Sequence, residues 1–345
     1  MMHHKKETHF VFAILAIAAV VLIANFFIVL AFQQILTNNA INEAQQAQTN
    51  SANRIAKIFE SMISDLKDNL VLISEYNDVK NSDAEVCGKK LDEAFAGLKY
   101  KISNIGKVGI DGKIYCSVNR TVIGTDVSSR AHIKKILEDP EHKNVLSQIV
   151  PSIIKTNLSA LSLYVPVLDD NGNFSGAVGI IFYLQEIDKN GLFNNVSSTA
   201  DSRVIIADSN GDILFYTNPE FVGKNVYSQE VKSAFGSTAY IADKINAEAR
   251  AGKSGTAKYT FAGEERAGAY VPVKIFENRT GMVLVSAPVA GIKSEFASPQ
   301  TFVMFYMVSS AAALAGIFVV LFFLRGMVKF SLRNFAEQMG EKEKE

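Results

Sequence analysis

Few residues in this chain have the types and spacing that chemistry demands. Gly252-Lys253-Ser254 resembles the end of a phosphate-cradling loop, in which backbone N–H groups and a lysine hold a nucleotide. Such a loop needs a glycine five residues before Gly252, and Ala247 stands there. The segment therefore reads as a turn before a strand. Asp169-Asp170 and Glu264-Glu265 have the types for acid–base cleavage of a glycosidic bond. Both pairs fall at the ends of expected hairpins, where a solvated turn is the simpler reading. Neither G-x-S-x-G nor H-E-x-x-H occurs. The five histidines are scattered, with His3 and His4 adjacent near a terminus, and no spacing suits a metal site. No catalytic residue, metal ligand or cofactor is expected, and no enzyme activity. Cys87 and Cys116 are the remaining reactive pair. Whether they bridge depends on the compartment.

The compartment follows from two apolar segments, residues 10–32 and 301–324. Each is long enough to cross a bilayer core of about 30 Å. Lys5 and Lys6 precede the first, and Arg325, Lys329 and Arg333 follow the second. Gln33, Gln34, Asn38 and Asn39 flank the inner end of one segment, and Ser298, Pro299 and Gln300 that of the other. The positive-inside rule then places both termini in the cytoplasm and residues 33–300 outside. The first segment exceeds the apolar core of a signal peptide, and no small-x-small site follows it closely, so it reads as a retained span. The expected divisions are a cytoplasmic 1–9, a span 10–32, an exported 33–300, a span 301–324 and a cytoplasmic tail 325–345. The chain is thus expected in the cell (inner) membrane, with its middle periplasmic or extracellular. An even cysteine count in such an oxidising compartment favours a structural bridge, with two free buried thiols as the alternative. With 35 basic and 35 acidic residues, no basic surface points to nucleic acid.

After the first span, Ile55, Phe59, Met62, Leu66, Leu70 and Ile73 recur in steps of three and four, with no Pro or Gly from residue 33 to 86. This predicts one long helix over 33–80. Its stripe serves as core, as a dimer seam, or as both. The chain then repeats itself. Val108-Gly109-Ile110-Asp111-Gly112 and Ala207-Asp208-Ser209-Asn210-Gly211 each predict a hairpin turn. Gly112 precedes Gly124 by the same interval as Gly211 precedes Gly223, and each later glycine is expected to open a helical stretch. Tyr164-Val165-Pro166-Val167 recurs as Tyr270-Val271-Pro272-Val273. Matched spacing at several points marks an internal duplication. Each copy predicts an antiparallel sheet with helices crossing between its second and third strands, an α+β class.

These residues resemble a known family. A long helix and two such units between two spans is similar to the double Cache (dCache) sensor of chemoreceptors, histidine kinases and diguanylate cyclases. The matching pieces are Ile123-Gly124-Thr125-Asp126-Val127-Ser128-Ser129-Arg130, residues 172–179, Gly252-Lys253-Ser254-Gly255-Thr256 and Ala269-Tyr270-Val271-Pro272-Val273. The resemblance covers about residues 35–295. It implies two PAS-like Cache modules stacked on the long helix, a membrane-distal one over 84–190 and a membrane-proximal one over 200–292. It implies a Cys87–Cys116 bridge and a ligand pocket between the first sheet and the segment after its second strand.

In that pocket Arg130 offers a planar fork for a carboxylate, or else braces its loop. Asp126 reads as the N-cap of the following helix. If Cys116 faces the helix carrying Cys87, strand alternation turns Tyr115 toward the pocket. His132, Ser162, Tyr164 and Tyr183 complete the candidates, His132 as a charge in a mildly acidic medium or as a satisfied loop histidine. Amino-acid-binding members carry a tyrosine five residues before the arginine, then R-x-W-Y, and an aspartate on the last strand. Here Thr125, Arg130-Ala131-His132-Ile133 and Ile181 stand there. An ammonium group would lack a partner, so the resemblance points to a small carboxylate rather than an amino acid.

After the second span, Met327–Met339 predicts a short amphipathic helix like the start of a HAMP linker, followed by a polar end. The expected role is an extracytoplasmic small-molecule sensor, paired as a homodimer through the long helix and signalling to a cytoplasmic or HAMP-bearing partner. The alternative is an exported binding or scaffolding module that does not signal.

Overall fold

A computed structural model describes residues 2–147, 149–154, 159–193, 201–276, 279–296 and 299–342. They form two units, one from residues 1–42 and 293–345 and one from 43–292.

The first unit holds the start of α1 (Met2–Ser74) and all of α9 (Pro299–Lys342). Both helices contain a stretch long and apolar enough to cross a membrane. The Phe32 and Phe305 rings stack at 3.6 Å. Phe26, Phe27, Phe318 and Phe322 are exposed, as suits helices solvated by lipid. The amphipathic segment expected at Met327–Met339 is part of α9. Most of its side chains, and the polar end at 343–345, lie outside the described residues.

The second unit starts from the polar-to-apolar alternation on α1. Ile55, Phe59, Leu66 and Leu70 are fully buried, with Met62 and Ile73 nearly so. They join one core with Ile105, Leu163, Val178 and Ile180 of one sheet and Val204, Val273, Val283 and Val285 of the other. Burying one such side chain contributes about 1.5–3 kcal/mol, so this stripe holds both sheets to one helix. The stripe Ile55–Ile73 thus serves as core, one of the roles the sequence left open for it. The helix also ends earlier than residue 80. The Ser74 hydroxyl donates to the Val71 carbonyl at 2.7 Å, competing with the helix's own bonds, and Tyr76 is extended before a single turn, α2 (Asn77–Lys80).

Next comes α3 (Ala84–Leu98), whose N-cap Asp83 accepts from the amides of Glu85 and Val86 at 2.9 and 3.0 Å. The first module follows: β1 (Asn104–Val108), β2 (Ile114–Ser117), α4 (Ala131–Glu138), β3 (Val145–Leu146), β4 (Val150–Pro151), β5 (Ser159–Leu168), β6 (Phe174–Phe182) and α5 (Leu184–Ile187). Its antiparallel sheet has the order β2-β1-β6-β5-β3, with β4 paired to β5. The second module comprises β7 (Arg203–Ala207), β8 (Ile213–Tyr216), α6 (Gln229–Phe235), α7 (Ala239–Arg250), β9 (Gly255–Phe261), β10 (Glu264–Phe276), β11 (Arg279–Pro288) and α8 (Val289–Phe296). Its order, β8-β7-β11-β10-β9, repeats that of the first.

The duplication extends to single hydrogen bonds. The Gly124 amide donates to the Ile114 carbonyl at 2.8 Å, and Gly223 to Ile213 at 2.9 Å. Val127 donates to Gly112 and Val226 to Gly211. Gly112 and Gly211 have φ of 75° and 87°, a left-handed backbone that favours glycine. Gly124 and Gly223 do not open helices, as the sequence suggested. They close back on the second strand, and α4 and α6 start later.

The rejected motifs find structural roles. Gly252 ends α7, its amide donating to Ala249 and that of Lys253 to Glu248, each at 2.9 Å, a helix C-terminal motif. Asp169 accepts from the amides of Asn171 and Asn173 in an exposed turn. Glu264 pairs with the buried Arg266. Among the described residues no cluster of His, Cys, Asp or Glu is suited to a metal ion.

Candidate ligand-binding site

The two faces of the first sheet differ in chemistry. Ile105 and Cys116 point into the shared core, where Cys116 is bridged to Cys87 of α3. The other face carries Asn104, Gly106 and Val108 and is roofed by α4 and the β4 segment. Between them lies a cavity of about 30 Å³. Val108, Ile114, Val122 and Val127 make its apolar wall, and Arg130, His132, Ser152 and Ser162 supply polar groups. No carboxylate lines it among the described residues.

Four of the six residues expected from sequence meet there. Arg130 is the N-cap residue of α4, half-buried, with both terminal nitrogens 3.4 Å from the Pro151 carbonyl. Those are long contacts, and among the described residues no carboxylate pairs with it. Its fork is open to an anion. His132, the second residue of α4, sits with Nε2 at 3.3 Å from the Ser162 hydroxyl and its ring 5.6 Å from that of Tyr164. Burial first, and the Arg130 charge second, push its imidazole down to about 4. It is a neutral hydrogen-bonding group in a mildly acidic medium, not the added charge the sequence allowed. Ser162 is held from behind, its amide donating to the Ser147 hydroxyl at 2.8 Å. Burial pushes the Tyr164 phenol up to about 12, so it stays protonated.

Two residues fall elsewhere. Tyr115 is on the opposite side of β2. The strand pairs Lys107 with Cys116 but Val108 with Ile114, so Tyr115 is an inserted residue. The bulge breaks the alternation on which the sequence argument rested. Tyr115 lies 39% exposed with its hydroxyl donating to the Ser82 carbonyl at 3.1 Å. Tyr183 is buried one layer out, its hydroxyl 2.5 Å from that of Ser152, which lines the cavity. Asp126 is not a helix cap. Its carboxylate accepts from the Ser128 amide and hydroxyl at 2.9 and 2.6 Å, which fixes the loop ahead of Arg130.

Sequence reasoning missed Gly106 and Gly179. Gly106 pairs with Gly179, and Gly179 with Tyr164, across three strands. The Tyr164 ring lies over Gly179, where an added Cβ would come within 2.3 Å of it. Glycine inside a strand was the available signal, since it marks a close approach from above.

The second module closes the matching face. Its cavity of about 20 Å³ is walled by Tyr216, Phe221, Phe235 and Phe261, with no arginine. Phe235 and Phe261 meet edge to face at 5.0 Å. Tyr270, the counterpart of Tyr164, lies over Gly255 with its hydroxyl donating to Glu248.

Two such sheets on one helix, with a polar cavity in the first, are the architecture of a sensory binding domain. Residues 32–291 match the family dCache_1, Cache domain, and the chain belongs to it. The fold is one for binding rather than catalysis. The periplasmic sensory domain of the Campylobacter jejuni chemoreceptor Tlp1 is similar at a TM-score of 0.57 and 13% identity, over 74% of this chain and 99% of that one. The ligand-binding domain of the Pseudomonas aeruginosa PAO1 amino acid chemoreceptor PctB, in complex with L-Arg, gives 0.54 and 14%, over 72% and 96%. An extracellular ligand binding receptor from Desulfohalobium retbaense gives 0.53 and 17%, over 68% of this chain. This chain spans 39% of that receptor. No curated protein matches by sequence. The apolar helices and the periplasmic sensory relatives support a membrane-anchored extracytoplasmic domain.

Proposed function

We propose that the chain is a membrane-anchored extracytoplasmic sensor whose first module binds a small carboxylate. The observation that carries this is the unpaired Arg130 guanidinium in a cavity with no acidic residue among those described. A carboxylate would gain charge-assisted bonds from Arg130, and neutral His132 and Ser162 would orient it. An ammonium group would find no counter-charge, which argues against the amino acids that PctB is named for. Both termini lie in the cytoplasm and residues 33–300 outside. Ligand bound in one state and not the other biases α1 and the apolar helices toward that state, and a cytoplasmic partner receives the change.

The test is a thermal-shift panel of carboxylates, amino acids, amines and sugars on the full chain in lipid nanodiscs. A bound ligand raises the melting temperature. Carboxylates are expected to do so, and Arg130→Ala to weaken them by roughly a hundredfold, the loss of a charge-assisted pair of about 3 kcal/mol. An amine hit that survives Arg130→Ala would sink the carboxylate reading.

A homodimer along α1 must use the face opposite the core stripe. Asn53, Lys57, Ser61 and Asp68 line it, with Val71 and Leu72 exposed beyond them. Single cysteines at Ser61 and Asp68 are expected to crosslink between chains, and cysteines at Ile55 and Leu66 are not. The reverse pattern would refute this face.

A further inference from the structure

Four residues stand opposite one another across the first sheet: Ser117 on β2, Gly106 on β1, Gly179 on β6 and Tyr164 on β5. All four line the cavity. Two glycines side by side on neighbouring strands remove the side chains from its floor and leave a trough of bare backbone. The Tyr164 ring covers the Gly179 side of that trough. A Cβ at Gly179 would meet Cε1, Cδ1 and Cζ of the ring at 2.3, 2.4 and 2.7 Å. The space left beside the ring is about 30 Å³, where roughly 10–15 Å³ measured the same way holds one water. That is room for about two waters and not for a ring-sized body.

The ring is held by packing, 9% exposed in a cluster with Val108, Ile133 and Ala177. Among the described residues its hydroxyl makes no hydrogen bond. Tyr270, at the matching position of the second module, is tied to Glu248. Among the described residues the Arg130 fork has only its two long contacts to Pro151. Anion site and ring can therefore both rearrange without breaking a short hydrogen bond or an ion pair, and the cost of moving the ring is its packing in that cluster.

We propose that Tyr164 is a removable plug in the ligand seat, and that the ligand is a carboxylate with a flat, ring-sized body that takes the plug's place. The carboxylate goes to Arg130 and the flat body to the Gly106–Gly179 trough. The vacated space has the thickness and outline of a phenol ring. Its floor is backbone, and Val108, Ile114 and Val127 flank it, so the body is apolar and planar rather than branched or sugar-like. The proposal rests on the carboxylate-sensor reading and adds both the shape class and the residue that sets it. It also sets affinity. A ligand that must first displace the ring binds more weakly by the fraction of time the seat is empty.

The test is benzoate binding to the full chain in nanodiscs by isothermal titration, with acetate as the unshaped comparator. Tyr164→Ala is expected to bind benzoate about tenfold more tightly than the parent if the seat is open about a tenth of the time. Tyr164→Val, better suited to a strand, gives a second reading should the alanine variant fold poorly. Adding Arg130→Ala is expected to abolish the gain. Equal or weaker benzoate binding in both Tyr164 variants would overturn the plug, because a contact residue loses affinity when removed. No benzoate binding to any variant would overturn the flat-ligand class. Acetate then separates the two proposals: binding lost in Arg130→Ala keeps the carboxylate sensor standing, and no acetate binding removes its support as well.

Discussion

Replacing Cys87 and Cys116 together with alanine is expected to lower the unfolding free energy by about 3–4 kcal/mol. The two residues are 29 apart in sequence and both fully buried. Cutting the bridge frees a loop of that length in the unfolded chain, and the chain-entropy model assigns the cost. Urea titration of the full chain in detergent micelles would read it as a lower midpoint at unchanged slope. The loss should extend to binding, because β2 carries Cys116 on one face and Ile114 and Ser117 on the cavity. A stability change below about 1 kcal/mol would mean that α3 is held by its apolar contacts alone.

The second large effect is a dependence on pH. His132 ordinarily titrates near 6.5 and is pushed to about 4 in the fold. Between those values the unfolded chain takes up a proton that the folded chain refuses. The stabilisation is therefore fully present above about pH 6.5 and is lost as the pH falls through 4. At about 1.4 kcal/mol per unit the loss approaches about 3.5 kcal/mol. Groups facing the ring are Arg130, whose charge adds to the effect of burial, together with Ser162 and Tyr164. His132→Gln keeps a neutral hydrogen-bonding group and removes the titration. Its unfolding free energy, compared with the parent's at pH 4.5 and 7.5, should show a shallower fall with acid. Parallel slopes for the two proteins would contradict a buried neutral imidazole.

Much of the architecture was legible because it is written in periodicity and in duplicated spacing. The α1 stripe gave the core helix, and the paired turn glycines gave two sheets of one topology. The apolar segments, the bridge and the family could all be read from residues 1–345 without coordinates. The site was less legible, for local reasons. Arg130, His132, Ser162 and Tyr164 line one cavity; strand alternation put Ser162 and Tyr164 on a common face, but which face turns inward was not readable from sequence. Tyr115 was misplaced by one inserted residue, which no pattern in a four-residue strand reveals. Asp126 was misread because a carboxylate before a helix serves an Asx turn as readily as a cap. The charge on His132 depends on burial, which is a property of the assembled module. Gly106 and Gly179 are informative only when their strands are seen side by side.

The second module bears on how the protein can change over generations. Its Tyr270 is anchored by Glu248 and its matching cavity is packed with phenylalanines, while Tyr164 in the first stays untied. The two copies of the duplication thus differ in how their matching tyrosines are held. The two sheets share a single helix and core, while the cavity wall of the first lies on the other face of its sheet, in a separate cluster. Residues that choose a ligand can drift without loosening what holds the domain together. Such a scaffold can acquire new specificities at little cost to its stability.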